Sequence, residues 1–501
     1  MVVSSPATFL VPMGFLKVVL LMLMSSSYSI AWVAPWAPDD IHAYGRRDDA
    51  VDDAGEHALS HRRHSKNDAP GIRFDMTRRA SNCSGPSMLQ GADSRLRHVA
   101  CAFERSARRL RLLAGKRTKA QHLRGVTHDT AHVSGKANSD WKFPEFVGAG
   151  DFMVSIVLGT PPVKASIIID TASDLTWIQS QPCNSCHQQK DPMYDPGKSS
   201  TYNVLACSSP ICDKLVQDKQ CTSGQSCRYA YRYIDGSETD GYLSTETMTV
   251  SLTTGEISKV ALFPFGASDA TMGTYTVEED GIFGLGQGPI SLPSQLGGNK
   301  FSYCLVDWQS DETSSLYFGD AAVPKGKVRY TPIVPNAKYP TFWYIRMIGI
   351  SVGSKRLPIA KSAFEIDSSG QGGTIVDTAS TLTFFLPEIF DQIAAAYKSQ
   401  VKYPVTTSSV TQLQLCFDTA GVSSPTFPTL EIHLDGANLS LPTQNVFVTL
   451  EENITCLAVM PNFESDFQTS VIGNIAQQNY DIVYDSKNMK MGFSPTNCAS
   501  M

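Results

Sequence analysis

The chain has 501 residues, 42% of them hydrophobic, which is enough for one to three domains with a sizeable core. Its net charge of -6 and sequence pI of about 5.9 do not favour a nucleic-acid partner. The charge is uneven, because residues 1–140 hold 20 Lys/Arg against 13 Asp/Glu and eight of the ten histidines. The remainder is acidic, so the two segments are predicted to have different roles.

The N-terminus has the order of a secretory signal. Lys17 precedes an apolar run over residues 18–24, which is too short to span a bilayer, and small residues follow at Ser29 and Ala31. We predict a signal peptide over residues 1–31; an uncleaved anchor is the alternative. No stable membrane span is expected.

The cysteine content and the glycosylation sequons agree with secretion. Twelve cysteines are typical of an oxidising compartment, and N-x-S/T sequons occur at Asn82, Asn438 and Asn453. The sequence therefore predicts a disulfide-bonded glycoprotein that is secreted, either extracellular (apoplast) or vacuolar.

A basic segment over residues 32–141 follows the signal. Within it, Leu96–Gly115 repeats apolar residues at helical spacing, with arginines between them. Three interpretations are open: a disordered tail, a membrane-surface helix, or a pro-segment that covers something acidic.

The pattern changes at Asp151. Short apolar runs then alternate with Gly, Pro, Ser and Asn turn residues, which predicts a mostly β structure. One clear helix is predicted over Leu386–Val401, with a proline at its start.

One loop occurs twice in this β region. "SIIIDTASDLTW" and "GTIVDTASTLTF" place Asp170 and Asp377 after apolar runs, and each loop is followed further along by an apolar-apolar-Gly that ends at Gly284 or Gly473. This duplication predicts two similar β lobes.

A pair of facing carboxylates has a well-defined chemistry. The two groups share one proton, so one acts as a base that activates water while the other acts as an acid. The duplicated loops predict such a pair in Asp170 and Asp377. The alternative is that both residues only cap turns.

Further motifs carry a family resemblance. Residues 148–498 resemble a plant nepenthesin-like aspartic peptidase of the pepsin superfamily. The motifs are "LGTPP", "DTASDLTW", "YDPGKSSTY", "YIDGSETDGYLSTET", "DGIFGLGQGPISLPSQL", "FSYCL", "VIGNIAQQNYDIVYD" and "GFSPTNC". The resemblance implies an all-β, bilobal pepsin-like fold with a flap hairpin, and lobes over residues 148–322 and 323–501.

The same resemblance assigns roles to individual residues. Asp170 and Asp377 match the catalytic pair. The matched residues that brace the loops or contact the substrate are Thr171, Ser173, Trp177, Tyr233, Thr378 and Ser380. It further implies a monomeric zymogen without a cofactor or metal, acting on peptide or protein substrates and sensitive to pepstatin-type inhibitors.

The chain departs from the family at three motif positions. Ala172 and Ala379 replace the glycines that follow Asp-Thr, and Ile234 replaces a flap glycine. A methyl group in either loop is expected to crowd the substrate or push the acids apart. Two hypotheses follow: retained, acid-optimum proteolysis, or a weak or inactive pseudo-protease that binds peptides or proteins, or acts as an inhibitor.

The cysteine pattern also departs from the family. Ser180 and Ala267 replace two family cysteines, which leaves Cys183 and Cys186 without partners, so we predict that these two bond to each other. The other pairs implied by the resemblance are Cys207–Cys227, Cys212–Cys221, Cys304–Cys498 and Cys416–Cys456. A redox C-x-x-C site and a zinc site with His187 are the rival interpretations.

The basic leader and the acidic body predict an autoinhibitory pairing. Falling pH neutralises the carboxylates of the body and charges the histidines of the leader, so the pairing weakens. We expect release and cleavage of the leader in acid.

Overall fold

Ten stretches of the chain are described by the structure, which is a computed structural model: residues 71–78, 151–215, 218–221, 226–233, 237–273, 275–296, 300–408, 413–451, 453–463 and 467–501. All of them belong to one compact unit, His57–Met501. The predicted signal peptide, the stretch Leu96–Gly115 and the flap residue Ile234 lie outside the described residues.

The described residues form a mostly β structure, as the sequence predicts. The strands of the first half are β1 Gly71–Arg78, β2 Phe152–Leu158, β3 Val163–Asp170, β4 Trp177–Gln179, β5 Asn203–Val204, β6 Lys219–Gln220, β7 Arg228–Arg232, β8 Glu238–Leu252, β9 Ile257–Met272, β10 Gly281–Gly284, β11 Lys300–Cys304 and β12 Ser314–Gly319. Those of the second half are β13 Arg329–Val334, β14 Tyr344–Ile345, β15 Met347–Val352, β16 Lys355–Arg356, β17 Thr374–Val376, β18 Thr383–Phe385, β19 Val405–Thr406, β20 Cys416–Asp418, β21 Leu430–Leu434, β22 Ala437–Leu441, β23 Phe447–Glu451, β24 Ile454–Leu457, β25 Val459–Pro461, β26 Ser470–Ile472, β27 Tyr480–Asp485 and β28 Lys490–Pro495.

Helices are short apart from one. The α-helices are α1 Leu292–Gln295, α2 Pro387–Gln400 and α3 Asn474–Gln477, and the 3-10 helices are Pro196–Lys198, Cys212–Leu215, Lys361–Phe364, Thr443–Asn445 and Cys498–Ser500. Helix α2 confirms the predicted helix: it begins at a proline and buries Ile389, Ile393 and Tyr397 along one face. Within the described ranges, no helix has the length and apolarity to cross a membrane.

A six-stranded arrangement connects the two halves. Its order, read from the pairings, is β1–β12–β11–β27–β28–β13, and every neighbouring pair is antiparallel. Within this arrangement, the pairing of β11 with β27 joins the halves, with Tyr303 opposite Ile482. Strands β1 and β13 occupy equivalent ends, so the arrangement has the twofold character that the repeated loops predict.

Strand β1 comes from a part of the basic leader, Gly71–Arg78, for which the sequence predicts no element. Its inward residues include Phe74 and Met76, which are 6% and 0% exposed, and Phe74 contacts the rings of Phe283 and Phe318. It pairs with β12 over Gly71–Met76. Part of the leader is therefore built into the core of the body.

The disulfides confirm three predicted pairs and correct two. Cys183–Cys186, Cys304–Cys498 and Cys416–Cys456 are present. The predicted Cys207–Cys227 and Cys212–Cys221 pairs are wrong, because the structure has Cys207–Cys221 and Cys212–Cys227.

Burial explains the corrected pairing. Cys212 and Cys227 are both fully buried in one apolar cluster, whereas Cys207 and Cys221 are half-buried, so the inner sulfurs pair with each other and the outer ones do the same. Cys212, Cys221 and Cys227 lie close enough to resemble a metal site, but bridged sulfurs are not thiolate ligands. The Cys183–Cys186 bridge removes both thiolate ligands of the alternative zinc site for the same reason.

Candidate active site

Parallel strand pairs place the two repeated loops. Asp170 ends β3, which runs parallel to β10 with Gly284 opposite Asp170. In the second half β17 runs parallel to β26, and Asp377 follows β17 directly. Each Asp-Thr-Ala-Ser loop is therefore paired with its own apolar-apolar-Gly strand, in the twofold manner that the duplication predicts.

Reciprocal hydrogen bonds join the loops to each other. The backbone N–H of Thr171 donates to Oγ1 of Thr378 at 3.1 Å, and that of Thr378 donates to Oγ1 of Thr171 at 3.0 Å. Each hydroxyl then donates across to the other lobe, to the carbonyl of Val376 or Ile169. Both threonines are fully buried, so these four bonds, the threonine grip, fix the relative position of the loops.

Both catalytic candidates are buried within their loops. Asp170 is 0% exposed and Asp377 is 2% exposed. Oδ1 of each accepts a hydrogen bond from the backbone N–H two residues on, at 2.9 Å from Ala172 and 3.1 Å from Ala379. The backbone thus holds the two carboxyl groups in equivalent orientations.

The two serines differ. Ser380 donates to Oδ2 of Asp377 at 2.5 Å. The hydroxyl of Ser173 is buried and has no hydrogen-bond partner among the described residues, although the resemblance implies a bond to Asp170. One predicted contact is therefore present and its counterpart is not.

The two alanines fit their loops. Neither has a positive φ, so neither backbone position requires glycine. The threonine grip and the bonds from both alanine amides are formed with the methyl groups in place. These contacts do not support the expectation that the methyls push the acids apart. Ala172 lies in an apolar cluster whose other buried members come from the second half.

The flap side of the site contains a buried aromatic pair. Trp177 is fully buried and donates from Nε1 to the hydroxyl of Tyr233 at 2.5 Å. Burial raises the pKa of the Tyr233 hydroxyl, so this group stays neutral. Tyr233 stands at the end of β7, where its N–H bonds to the carbonyl of Ser237 on the returning side of the hairpin. The structure thus brings these two predicted residues together.

Several residues that support the loops are not among those predicted from the sequence. Gln477 donates from Nε2 to the carbonyl of Asp377, and Asn474 donates from Nδ2 to that of Thr378. Thr176 and Thr383 accept, through their hydroxyls, from the N–H groups of Gly284 and Gly473. The end of the repeat, Leu-Thr-Trp or Leu-Thr-Phe, carries a signal for these two threonines, because they occupy the same repeat position.

Comparison with known proteins agrees with this geometry. Family models described as xylanase inhibitor N-terminal and xylanase inhibitor C-terminal match residues 152–320 and 342–495. The chain is 38% identical to "Aspartic proteinase nepenthesin-1" of Nepenthes gracilis over 71% of this chain and 80% of that one. It is 35% identical to "Aspartic proteinase nepenthesin-2" of the same organism, over 73% and 82%.

A solved structure supports the fold. The crystal structure of basic 7S globulin from soybean superposes with a TM-score of 0.56 at 20% identity, covering 70% of this chain and 95% of that one. The chain has the bilobal, all-β fold of the pepsin-like proteins. Its sequence relatives and its duplicated Asp-Thr-Ala-Ser loops together show that it belongs to the nepenthesin-like plant aspartic peptidases of the pepsin superfamily, which makes it an aspartic-type endopeptidase.

Proposed function

We propose that this protein is a secreted, acid-optimum endopeptidase that hydrolyses peptide bonds with a water molecule activated by Asp170 and Asp377. The threonine grip is the observation that carries the proposal, because it ties two equivalent carboxyl-bearing loops to each other across the lobes. Without that constraint, two acids 207 residues apart have no reason to act together. The substrates would be extended peptides or proteins.

The reaction follows from one proton shared between two acids. The ionised carboxyl takes a proton from water while the water oxygen attacks the scissile carbonyl carbon. The protonated carboxyl gives its proton to the carbonyl oxygen, forming a gem-diol. Collapse of the gem-diol breaks the C–N bond. The nitrogen takes the proton that the first carboxyl removed from water, and one gem-diol hydroxyl gives its proton to the other carboxyl, which releases a carboxylic acid and an amine and restores the dyad.

Buried carboxyl groups outside the dyad support an acid working range. Burial raises the pKa of Asp280 to about 7 and that of Asp481 to about 6, and both are at most 2% exposed. A carboxyl whose folded-state pKa exceeds its unfolded value favours folding in its protonated form. Its contribution to stability is therefore full below about pH 3.8 and is lost as the pH rises through 6 to 7. These groups make the fold more stable in acid.

The leader belongs to the same proposal. A basic segment before an acidic body fits a zymogen that is made for secretion or the vacuole and is processed when the pH falls. The test is to incubate the full-length protein between pH 7 and pH 3 and to follow chain length and activity together. A chain that stays intact with equal activity throughout contradicts the zymogen proposal.

The catalytic test uses a quenched fluorescent peptide at pH 3 to 5, with and without pepstatin. The variants are Asp170→Asn and Asp377→Asn, and Asp435→Asn is the matched control because this acid is exposed and pairs with Arg346 at the surface. We expect cleavage that pepstatin blocks, a loss of at least about 100-fold in either dyad variant, and no change in the control.

Two outcomes would count against the proposal. Cleavage that persists in both dyad variants would assign the chemistry to other residues. A folded, processed protein that cleaves no peptide but binds pepstatin would favour a peptide-binding role on the same fold.

A further inference from the structure

The first loop contains a second acid, in addition to Asp170, that the dyad chemistry does not use. Asp174 follows Asp170 by four residues, and its side chain is half-buried. Oδ1 accepts a hydrogen bond from the backbone N–H of Gly288 at 2.8 Å, and Oδ2 accepts one from the hydroxyl of Thr341 at 2.7 Å. Thr341 belongs to the second half of the chain, so this carboxyl connects the first loop to the other lobe.

Glycines make the space for that carboxyl. A Cβ on Gly286 would come within 2.3 Å of Oδ1, and a Cβ on Gly288 within 2.1 Å of Oδ2. Neither glycine has a positive φ, so conformational freedom does not explain them. The "GLGQG" turn is therefore closed around the Asp174 side chain, which gives Gly286 and Gly288 a steric reason to be glycine.

The surrounding backbone strengthens the same connection. The N–H of Gln287 donates to the carbonyl of Thr341, and the Trp343 indole donates to the carbonyl of Leu285. On the other side, the N–H of Asp174 bonds to the hydroxyl of Tyr231 on β7, the strand that leads to the flap. Asp174 thus lies where the first loop, the flap strand and the second lobe meet.

The second loop has no equivalent acid. Thr381 occupies the matching repeat position, and its carbonyl accepts from the N–H of Ile475 within its own lobe. The repeat is thus broken at the one side chain that joins the first loop to Thr341.

The electrostatics of Asp174 agree with a role near the dyad. Burial raises its pKa to about 6, the bonds from Thr341 and Gly288 oppose that rise, and the nearby charge of Asp170 adds to it. The titratable groups that face it are Asp170 and Tyr231, and burial keeps Tyr231 neutral by raising its pKa. The two carboxylates therefore repel each other when both are ionised.

We propose that Asp174 is a positioning residue that fixes the first catalytic loop against Thr341 of the second lobe and whose charge sets the upper pH limit of the reaction. The inference rests on the proposed function, since it concerns the same dyad. In this role Asp174 contacts neither the attacking water molecule nor the substrate, and it acts through Asp170.

Asp174→Asn separates charge from position. The amide oxygen accepts from the N–H of Gly288 as Oδ1 does. The amide nitrogen donates to the hydroxyl oxygen of Thr341, which reverses the bond that Oδ2 accepts, so the loop stays in place while the charge is lost. The dyad then loses its second proton more easily, and the alkaline limb of the pH profile of kcat/KM should move to lower pH by about half a unit. The rate at the acid optimum should change less than about twofold, because Asp174 is already protonated there.

Thr341→Val and Thr341→Ser test the position. The valine keeps the shape of threonine but removes the donor to Asp174, so kcat should fall about 10-fold with KM changed less than about twofold, since a small displacement of a catalytic group is costly. The serine restores the hydroxyl and should restore the rate. An unmoved alkaline limb in Asp174→Asn, or equal rates in the valine and serine variants, would overturn the proposal.

A measurement without substrate keeps this test apart from that of the proposed function. The melting temperature of Asp174→Asn should exceed that of the wild type increasingly between pH 4.5 and pH 7.5, by about 1–3 °C at the upper end, because only the wild type acquires a charge at this half-buried position. Plots of melting temperature against pH that run parallel for the two proteins would contradict the placement of Asp174 even in an active enzyme. Diverging curves would support it even if the wild type cleaved nothing.

Discussion

The two Asp-Thr-Ala-Ser loops are equal in their backbone and unequal in their side chains. Both are joined by the threonine grip, and both aspartates accept from the amide two residues on. They differ at the serine, which bonds to Asp377 in the second loop but not to Asp170 in the first. They also differ at the residue after the serine, which is Asp174 in the first loop and Thr381 in the second. The symmetric part holds the two carboxyl-bearing loops together, and the asymmetric part gives the two carboxyl groups different surroundings.

The largest effect is expected from the symmetric part. Thr171→Val and Thr378→Val each remove one buried hydroxyl that both donates and accepts across the lobes. Each should lower the free energy of unfolding by about 2–3 kcal/mol, and the two values should agree within error. Denaturant unfolding measures both. A clear difference between them would show that the grip is less symmetric than its bonds indicate.

The serines should show the next largest effect, on activity. Ser380→Ala removes the hydroxyl that donates to the carboxyl of Asp377, so the rate at pH 3 should fall about 10-fold. Ser173→Ala should change the rate less than about twofold. Profiles of kcat/KM from pH 2.5 to pH 7 compare the two variants. Equal losses would restore a symmetric role for the serines.

The alanines should show the smallest effect. Ala172→Gly and Ala379→Gly introduce flexibility where the backbone does not need it, which costs roughly 0.4–1 kcal/mol of stability. Ala172→Gly should cost more, since Ala172 also packs with Phe342 and Tyr344 in the second-half cluster. Thermal unfolding and peptide cleavage at the optimum measure both effects. A gain in rate of 10-fold or more in either variant would show that the methyl obstructs the substrate.

Sequence alone predicts what the duplication repeats. Asp170 and Asp377, the threonines and the two Gly-ended strands all appear in both copies, so a comparison of the chain with itself finds them. The Asp174–Thr341 contact appears once, and 167 positions separate its partners without any shared motif. Its only sequence signal is the change from Asp-Thr-Ala-Ser-Asp to Asp-Thr-Ala-Ser-Thr.

The pairing of the four cysteines within residues 207–227 cannot be predicted from the sequence for a different reason. The sulfurs of Cys212 and Cys221 lie 3.6 Å apart although they belong to different bridges. Only the direction in which each side chain points decides the pairing. Cys227, which directly precedes β7, points into the apolar cluster. Spacing along the chain does not encode that direction.

Strand β1 has a consequence for what counts as the mature protein. It supplies Phe74 and Met76 to the core and pairs with β12 and β2, whereas the covalent connection to the body runs through residues 79–150. A cut anywhere in that connection divides the polypeptide but removes none of these pairs. After such a cut, the longest product begins within or after residues 79–150, whereas the folded unit still begins with β1. A peptide of fewer than a dozen residues decides whether the sheet is complete.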